Sequence, residues 1–388
     1  MRPRDDGGLP ERAVTTNSPK LSISYSLADQ DFATTKSVGI YNLSLGLLKA
    51  LAADDRVERL SVFTNPSIDL RTALGVAVTA PRIDAIQYAG SRSRLARILW
   101  DQIGVYRAAK RAGNEWLLLP KGYSSFLLKP PVRLVTYVHD AMHAHYRTRH
   151  PGFTPALEMT YFWRAFLASL RNSSLILTNS QFTADELVRV CREQGIAPPP
   201  IVRAGIGFVA AGQVLAEKQA RVLVLAGRWP HKLTRLAVGY LDRWQRETNY
   251  TGQVEWVGSF SEAVDLPAHG NWRRHLRLAD GAYEALVASS KVLVYFSEYE
   301  GFGMPPIEAI IRGVAPVYSD IPACTEVMQG CGWSFKNESY ESFARAMNDA
   351  QFVSADSLRT QADSLLALHS WEKVAHLVLR SLSASRLI

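Results

Sequence analysis

Cysteine is scarce. Cys191, Cys324 and Cys331 are the three among 388 residues, and no CxxC pair occurs. That argues against a disulfide framework and a zinc ribbon, and it fits a reducing compartment. Long apolar runs are lacking too. Arg221–Ala226 and Val292–Phe296 have strand length, far below the roughly 20 residues that cross a bilayer. Met1 to Lys20 holds no apolar h-region, so no secretory signal is read there and residues 1–20 are expected to form a disordered leader. Compositional bias is absent as well. With 47% hydrophobic and 21% charged residues, wholesale disorder and fibrous classes are excluded. Single cores stop growing near ~250–300 residues, so two domains are expected. Positive charge is in excess: 44 Lys and Arg against 36 Asp and Glu give a net charge of +8. This favours anionic partners, whether phosphorylated small molecules, lipid surfaces or nucleic acid.

Short β-branched runs alternate with amphipathic segments. Leu21–Leu27, Leu60–Thr64, Trp116–Leu119, Val132–Val138 and Leu175–Thr178 read as strands. Gly39–Ala53, Ser93–Ala112, Thr154–Arg171 and Thr183–Gln194 read as helices between them. Ala197-Pro-Pro-Pro200 breaks the series, and Ala210–Ala220 reads as a linker. The alternation then restarts, with strands at Arg221–Ala226, Val254–Val257, Val292–Phe296 and Ala315–Tyr318. Helices are read at Lys232–Gln245, Gly281–Ser289 and Pro305–Arg312, with a helical end over Ser339–Arg386. Two βαβ series predict an α/β protein of two doubly wound parallel-sheet domains facing one another. Ligands in such sheets sit outside the carboxyl ends of the strands, so the loops after strands carry the function.

Four such loops stand out. Val292–Thr325 runs from a buried strand through Gly301 and Gly303 to Pro305-Pro306, which opens a helix. Helix starts offer backbone N–H groups and a positive dipole end, and glycines admit close approach. Glu300 before this start and Glu308 in its first turn can both meet one polar guest, as carboxylates receive vicinal hydroxyls. The same residues also suit a tight turn with a surface acid, and taken alone the two readings are even. Gly227-Arg-Trp-Pro-His-Lys232 sets two cations after a strand, as a departing diphosphate requires or as a solvated basic loop provides. His139-Asp140 ends a third strand, and Gly39 opens the first long helix. His143 and His145 follow closely, but HxH without a third ligand argues against a metal. Asp29-Gln-Asp31 reads as a polar loop. The helix around Arg94, Arg97, Arg107, Lys110 and Arg111 is basic and amphipathic. A domain helix with a solvated face is the commoner case, and an anionic membrane contact is the alternative. No nucleic-acid module accompanies these residues.

Glu300-Gly-Phe-Gly-Met-Pro-Pro-Ile-Glu308 resembles the E-x7-E motif of retaining GT-B glycosyltransferases of family 4. Ser319-Asp320 and Glu326-Val327 match the same pattern, with Thr325 where that family has Pro. Gly227–Lys232 resembles its G-R-x-x-x-K element, with Leu233 in the place of a common Asn. His139-Asp140 is similar to its strand-end H-D, Gly39 falls in its glycine-rich loop, and Ser370-Trp371-Glu372 resembles the start of its final helix. The likeness runs from about Leu21 onward.

It implies a GT-B fold of two Rossmann-like domains facing across a cleft: 21–209 on the acceptor side, joined by a terminal helix at about 371–388, and 210–370 binding the nucleotide sugar. It implies a cytoplasmic hexosyltransferase, active there or at the inner membrane surface. A mannose- or glucose-type hexose would move from a UDP- or GDP-sugar to a saccharide or lipid-linked acceptor, without cofactor or metal. Glu300, His139, Arg228 and Lys232 would be catalytic. Gly39, Gly301, Phe302, Gly303, Met304 and Glu308 would hold the donor. An epimerase-like enzyme on the same plan and a non-catalytic sugar-nucleotide or membrane-surface protein are the alternatives.

Overall fold

The computed structural model describes residues 20–29, 38–75, 82–88, 93–210, 217–258, 264–276 and 278–386. The expected leader, most of Thr34–Gly39, Gln30-Asp31 and part of the Ala210–Ala220 linker lie outside the described residues.

The first half contains β1 (Leu21–Ser26), α1 (Val38–Ala53), β2 (Val57–Thr64), α2 (Leu70–Leu74), β3 (Ile83–Gln87), α3 (Arg94–Leu99), α4 (Val105–Ala112), β4 (Trp116–Leu119), β5 (Arg133–Val138), α5 (Met142–Arg149), α6 (Ala156–Asn172), β6 (Leu175–Thr178), α7 (Gln181–Glu193) and β7 (Ile201–Arg203). The second contains β8 (Arg221–Leu225), α8 (Thr234–Thr248), β9 (Gln253–Val257), β10 (Asn271–His275), α9 (Asp280–Ser289), β11 (Val292–Tyr295), α10 (Met304–Ile311), β12 (Ala315–Ser319), α11 (Pro322–Met328), β13 (Trp333–Phe335), α12 (Tyr340–Gln351), α13 (Ala355–Leu368) and α14 (Trp371–Ala384).

The strands form two sheets, ordered β3-β2-β1-β4-β5-β6-β7 and β10-β9-β8-β11-β12-β13. Neighbouring strands run parallel throughout, from β1 beside β2 and β4 to β8 beside β9 and β11. The central strands WLLL, LILT and VLVY are buried along their whole length, because helices cover both faces of a parallel sheet. Strand order reverses beside β1 in one sheet and beside β8 in the other. Each reversal opens a crevice at the carboxyl ends of the strands, and the two crevices face each other.

Several elements are invisible to hydrophobic periodicity. β3 (IDAIQ) and β10 (NWRRH) are edge strands, half exposed and polar, so neither alternation nor a long apolar run marks them. The expected helix Ser93–Ala112 is interrupted by a π turn at Trp100–Gly104. Downstream of it α4 buries Val105, Tyr106 and Ala109, as a domain helix does. Upstream, α3 leaves Leu95 66% and Leu99 50% exposed.

The chain end returns to the first half. α14 packs on α1 and β1, and Arg386 Nε donates to Glu115 Oε2 at 2.7 Å. Trp371 is the wedge at this junction. A Cβ added at Gly46 of α1 would lie 2.1 Å from its Cζ2, and one at Gly207 2.4 Å from its Cγ. The indole thus occupies volume that any other residue at Gly46 would claim. Gly46→Val is expected to overpack this contact and cost about 1–3 kcal/mol, read as a lowered midpoint in denaturant unfolding with the secondary structure retained.

Candidate active site

A cleft of about 690 Å³ lies where the two sets of strand ends meet. Eight of the ten residues singled out in the sequence line it: Gly39 and His139 from the first half, and Glu300, Gly301, Phe302, Gly303, Met304 and Glu308 from the second. Lys232 reaches the same wall through Glu300. Its Nζ donates to Glu300 Oε1 at 2.6 Å and to Tyr295 Oη at 2.7 Å. Arg228 differs from expectation. It is exposed, does not line the cleft, and rests its guanidinium 4.9 Å over the Trp229 ring.

The two loop glycines have different causes. Gly303 caps α10 with φ 89°, a backbone shape that side chains disfavour. At Gly301 an added Cβ would lie 1.8 Å from the His139 carbonyl oxygen, so the opposite half occupies its side-chain space. The Gly301 carbonyl in turn accepts from Ser180 Oγ at 2.5 Å and Thr183 Oγ1 at 3.1 Å. Ser180 also caps α7 by accepting from Thr183 N. α10 starts at Met304, which moves Glu308 to its second turn rather than the first. Pro305 and Pro306 supply no N–H, so this helix start offers fewer donors than helix starts usually do.

Glu300 is held ionised. Burial alone would raise its pKa, but the charge of Lys232, then His231, and hydrogen bonds from Lys232 and Ser297 bring it below the ordinary value. Ser297 Oγ donates to Glu300 Oε1 at 2.7 Å. Glu308 moves the other way: burial raises its carboxyl, with Arg312 opposing and Glu284 adding to the rise. Arg312 lines the cleft beside Glu308 and bonds Glu284 at 2.8 Å.

His139 is neutral, because burial pushes its pKa to about 4. Its Nε2 lies 3.0 Å from the Pro120 carbonyl, which can only accept, so Nε2 carries the hydrogen and Nδ1 is a bare acceptor. Asp140 beside it is driven up to about 6, first by burial and further by Glu300, with Lys232 opposing. The cleft therefore holds three acids whose surroundings push them apart, Glu300 downward and Glu308 and Asp140 upward, a pattern that separates acid and base roles.

The sequence reading did not give Asp140, Asn179, Tyr295, Ser297 or Arg312 a place in the site. Asn179 follows β6 as His139 follows β5, and its Nδ2 donates to the His139 carbonyl at 2.8 Å. A strand-end rule applied to every strand would have found it. The halves also join through Glu326, which accepts from Gln181 N at 2.7 Å and Phe182 N at 2.8 Å.

Two parallel-sheet α/β halves facing across a cleft of this make define a GT-B fold. Residues 210–351 match the family model described as Glycosyl transferases group 1. The chain is 25% identical over 376 residues to O-antigen chain mannosyltransferase B of Escherichia coli, covering 87% of this chain and 89% of that protein. It is 24% identical over 300 residues to O-antigen chain mannosyltransferase RfbU of Salmonella typhimurium, covering 75% and 80%. Among solved structures, Anabaena HepE in complex with UDP and glucose superposes with a TM-score of 0.63 at 15% identity, covering 94% of this chain and all 100% of that one. On these likenesses the chain is a glycosyltransferase, and they favour transfer over epimerisation or mere binding.

The pairing of Lys232 with Glu300 gives a stability test. Their side chains are 20% and 15% exposed, and removing one partner of a largely buried pair costs roughly 3–5 kcal/mol. Lys232→Met is expected to show that loss at pH 7 in denaturant unfolding. A depressed carboxyl stabilises the fold above its unfolded pKa, and this contribution disappears as pH falls through the folded value. The gap between variant and parent therefore narrows as pH falls below the ordinary glutamate value and through the lower folded one.

Proposed function

We propose that this chain transfers a hexose, mannose- or glucose-type, from a UDP- or GDP-sugar to a hydroxyl of a saccharide or lipid-linked acceptor, with retention of anomeric configuration and without a catalytic metal. The observation that carries this reading is the glycine loop between Glu300 and Glu308, both lining one cleft opposite the neutral His139. The names of the two bacterial relatives favour mannose and a growing polysaccharide chain as acceptor.

Glu300 and the backbone of Gly301–Met304 hold the hexose hydroxyls, and Glu308 holds the ribose. Gly39 borders the phosphates. Lys232 turns from Glu300 toward the diphosphate as negative charge develops there. Arg228, on the same loop, swings in from solvent to join it. Positive charge brought to where negative charge develops lowers the barrier, and here it is assembled as the site closes. Among the described residues that line the cleft no side chain stands as a nucleophile paired with a base, so a leaving phosphate oxygen takes the acceptor proton on the same face. His139 accepts a sugar hydroxyl at its bare Nδ1. Closing the halves excludes the water that would hydrolyse the donor.

No helix among the described residues is long and apolar enough to cross a membrane. The enzyme works in the cytoplasm, and Leu95 and Leu99, exposed beside the basic residues of α3 and α4, support a weak contact with the anionic inner membrane surface.

Donor choice follows from thermal-shift screening of UDP- and GDP-hexoses, since a ligand of the folded state raises the midpoint. With the donor so found, Glu300→Gln is expected to lower kcat by roughly a hundredfold or more, with product configuration read by NMR. Near-normal turnover of that variant overturns the assignment. EDTA is expected to leave kcat unchanged.

A further inference from the structure

The two halves also meet at a cluster that the transfer chemistry leaves unused. His145 lies on α5, and His150 caps the C-terminal end of that helix. Glu298 comes from the loop after β11 in the other half. His145 Nε2 stands 3.0 Å from Glu298 Oε1, and His150 Nε2 contacts the same oxygen. One donor atom from each of the three lies within 4.8 Å of the others.

The surroundings hold the rings in place. His145 stacks on Tyr299 with centroids 4.3 Å apart, and the Tyr146 ring lies 5.3 Å from His150. The Glu298 backbone is pinned by its N–H donating to the His231 carbonyl at 2.8 Å. Among the described residues no lysine or arginine pairs with Glu298. The side chains of His145, His150 and Glu298 are 13%, 22% and 23% exposed, so an ion can enter from solvent.

We propose that His145, His150 and Glu298 form a binding site for a divalent cation of the zinc class, which ties the two halves together beside the cleft. Two imidazoles and one carboxylate suit a borderline cation, whereas magnesium and calcium prefer all-oxygen shells. With bonds of about 2.0–2.2 Å to nitrogen and oxygen, tetrahedral coordination needs donors a little over 3 Å apart. Small side-chain rotations bring the three atoms there, and water fills the fourth position. Binding requires both Nε2 atoms bare, with the hydrogens on Nδ1. A plain hydrogen-bonded latch requires the opposite, a hydrogen on each Nε2. The sequence argument against a metal weighed His143 with His145, a pair the fold separates: His143 meets Tyr123 Oη at 2.6 Å, whereas His150 and Glu298 join His145. The cation resists separation of the halves and takes no part in the bond exchange.

The full chain, stripped by chelator, is titrated with zinc in equilibrium dialysis. One equivalent per chain is expected. Affinity falls in His150→Ala and in Glu298→Gln by more than the roughly 10–100-fold that loss of an outer-shell partner costs. Zinc raises the thermal midpoint of the parent and of neither variant. Circular dichroism of the metal-free variants checks that both are folded, and His145→Ala gives a third, independent ligand removal. In histidine NMR of the parent, zinc moves the hydrogens of both rings to Nδ1. Absence of stoichiometric binding, or binding that survives in a His145→Ala/His150→Ala double variant, overturns the site and leaves a hydrogen-bonded latch. None of these readouts uses a sugar donor, so they stand apart from the transfer reading.

Discussion

Gly301 packed against the His139 carbonyl is the contact on which the cleft depends. The glycine comes from one half and the carbonyl from the other, and no side chain fits between them. Ser180 and Thr183 complete the grip by donating to the Gly301 carbonyl. The loop between Glu300 and Glu308 is therefore shaped by its own half and held by the opposite one. Its geometry and the approach of the two sheets are a single variable. An enzyme in which this loop is aligned only when the halves meet couples water exclusion to the assembly of its cleft.

Charge in the cleft is arranged by burial more than by count. Glu300 stays ionised through Lys232, while Glu308 and Asp140 are pushed upward and His139 is kept neutral. The net charge of +8 says nothing about this pattern. The local field comes from two contacts of the half-buried Lys232, one neutral ring and an arginine shared between Glu284 and the Glu308 carbonyl. Any anion entering here competes with a carboxylate for Lys232 rather than meeting a free cation.

Much of the architecture was legible in the sequence, because central parallel strands are buried on both faces and betray themselves as short apolar runs. Val292–Tyr295 and Leu175–Thr178 are of this kind. Edge strands such as Asn271–His275 were not legible, since they need only one partner and tolerate arginines. Within the cleft, His139 and the loop from Glu300 were singled out through the family resemblance, since by position alone each read as readily as a structural feature, and both line the cleft wall. Arg228, singled out in the same way, does not. Its loop position matched that of Lys232, but its side chain turned outward to the Trp229 face. Pairings across the interface were beyond reach for the same reason. Nothing in the neighbourhood of His150 announces Glu298, and nothing near Gln181 announces Glu326.

That last pairing bears on how such enzymes can be recombined. The first amides of α7 are satisfied by a carboxylate from α11, which belongs to the other half. A helix end normally carries its own caps, so the border between modules here runs through a helix terminus rather than along the linker. A chimera that joins one enzyme's front half to another's back half inherits a mismatched cap unless the residue at 326 and the turn at 180–183 travel as one unit. The natural cut for grafting new specificity therefore follows hydrogen bonds, not the point where the chain passes from one sheet to the other.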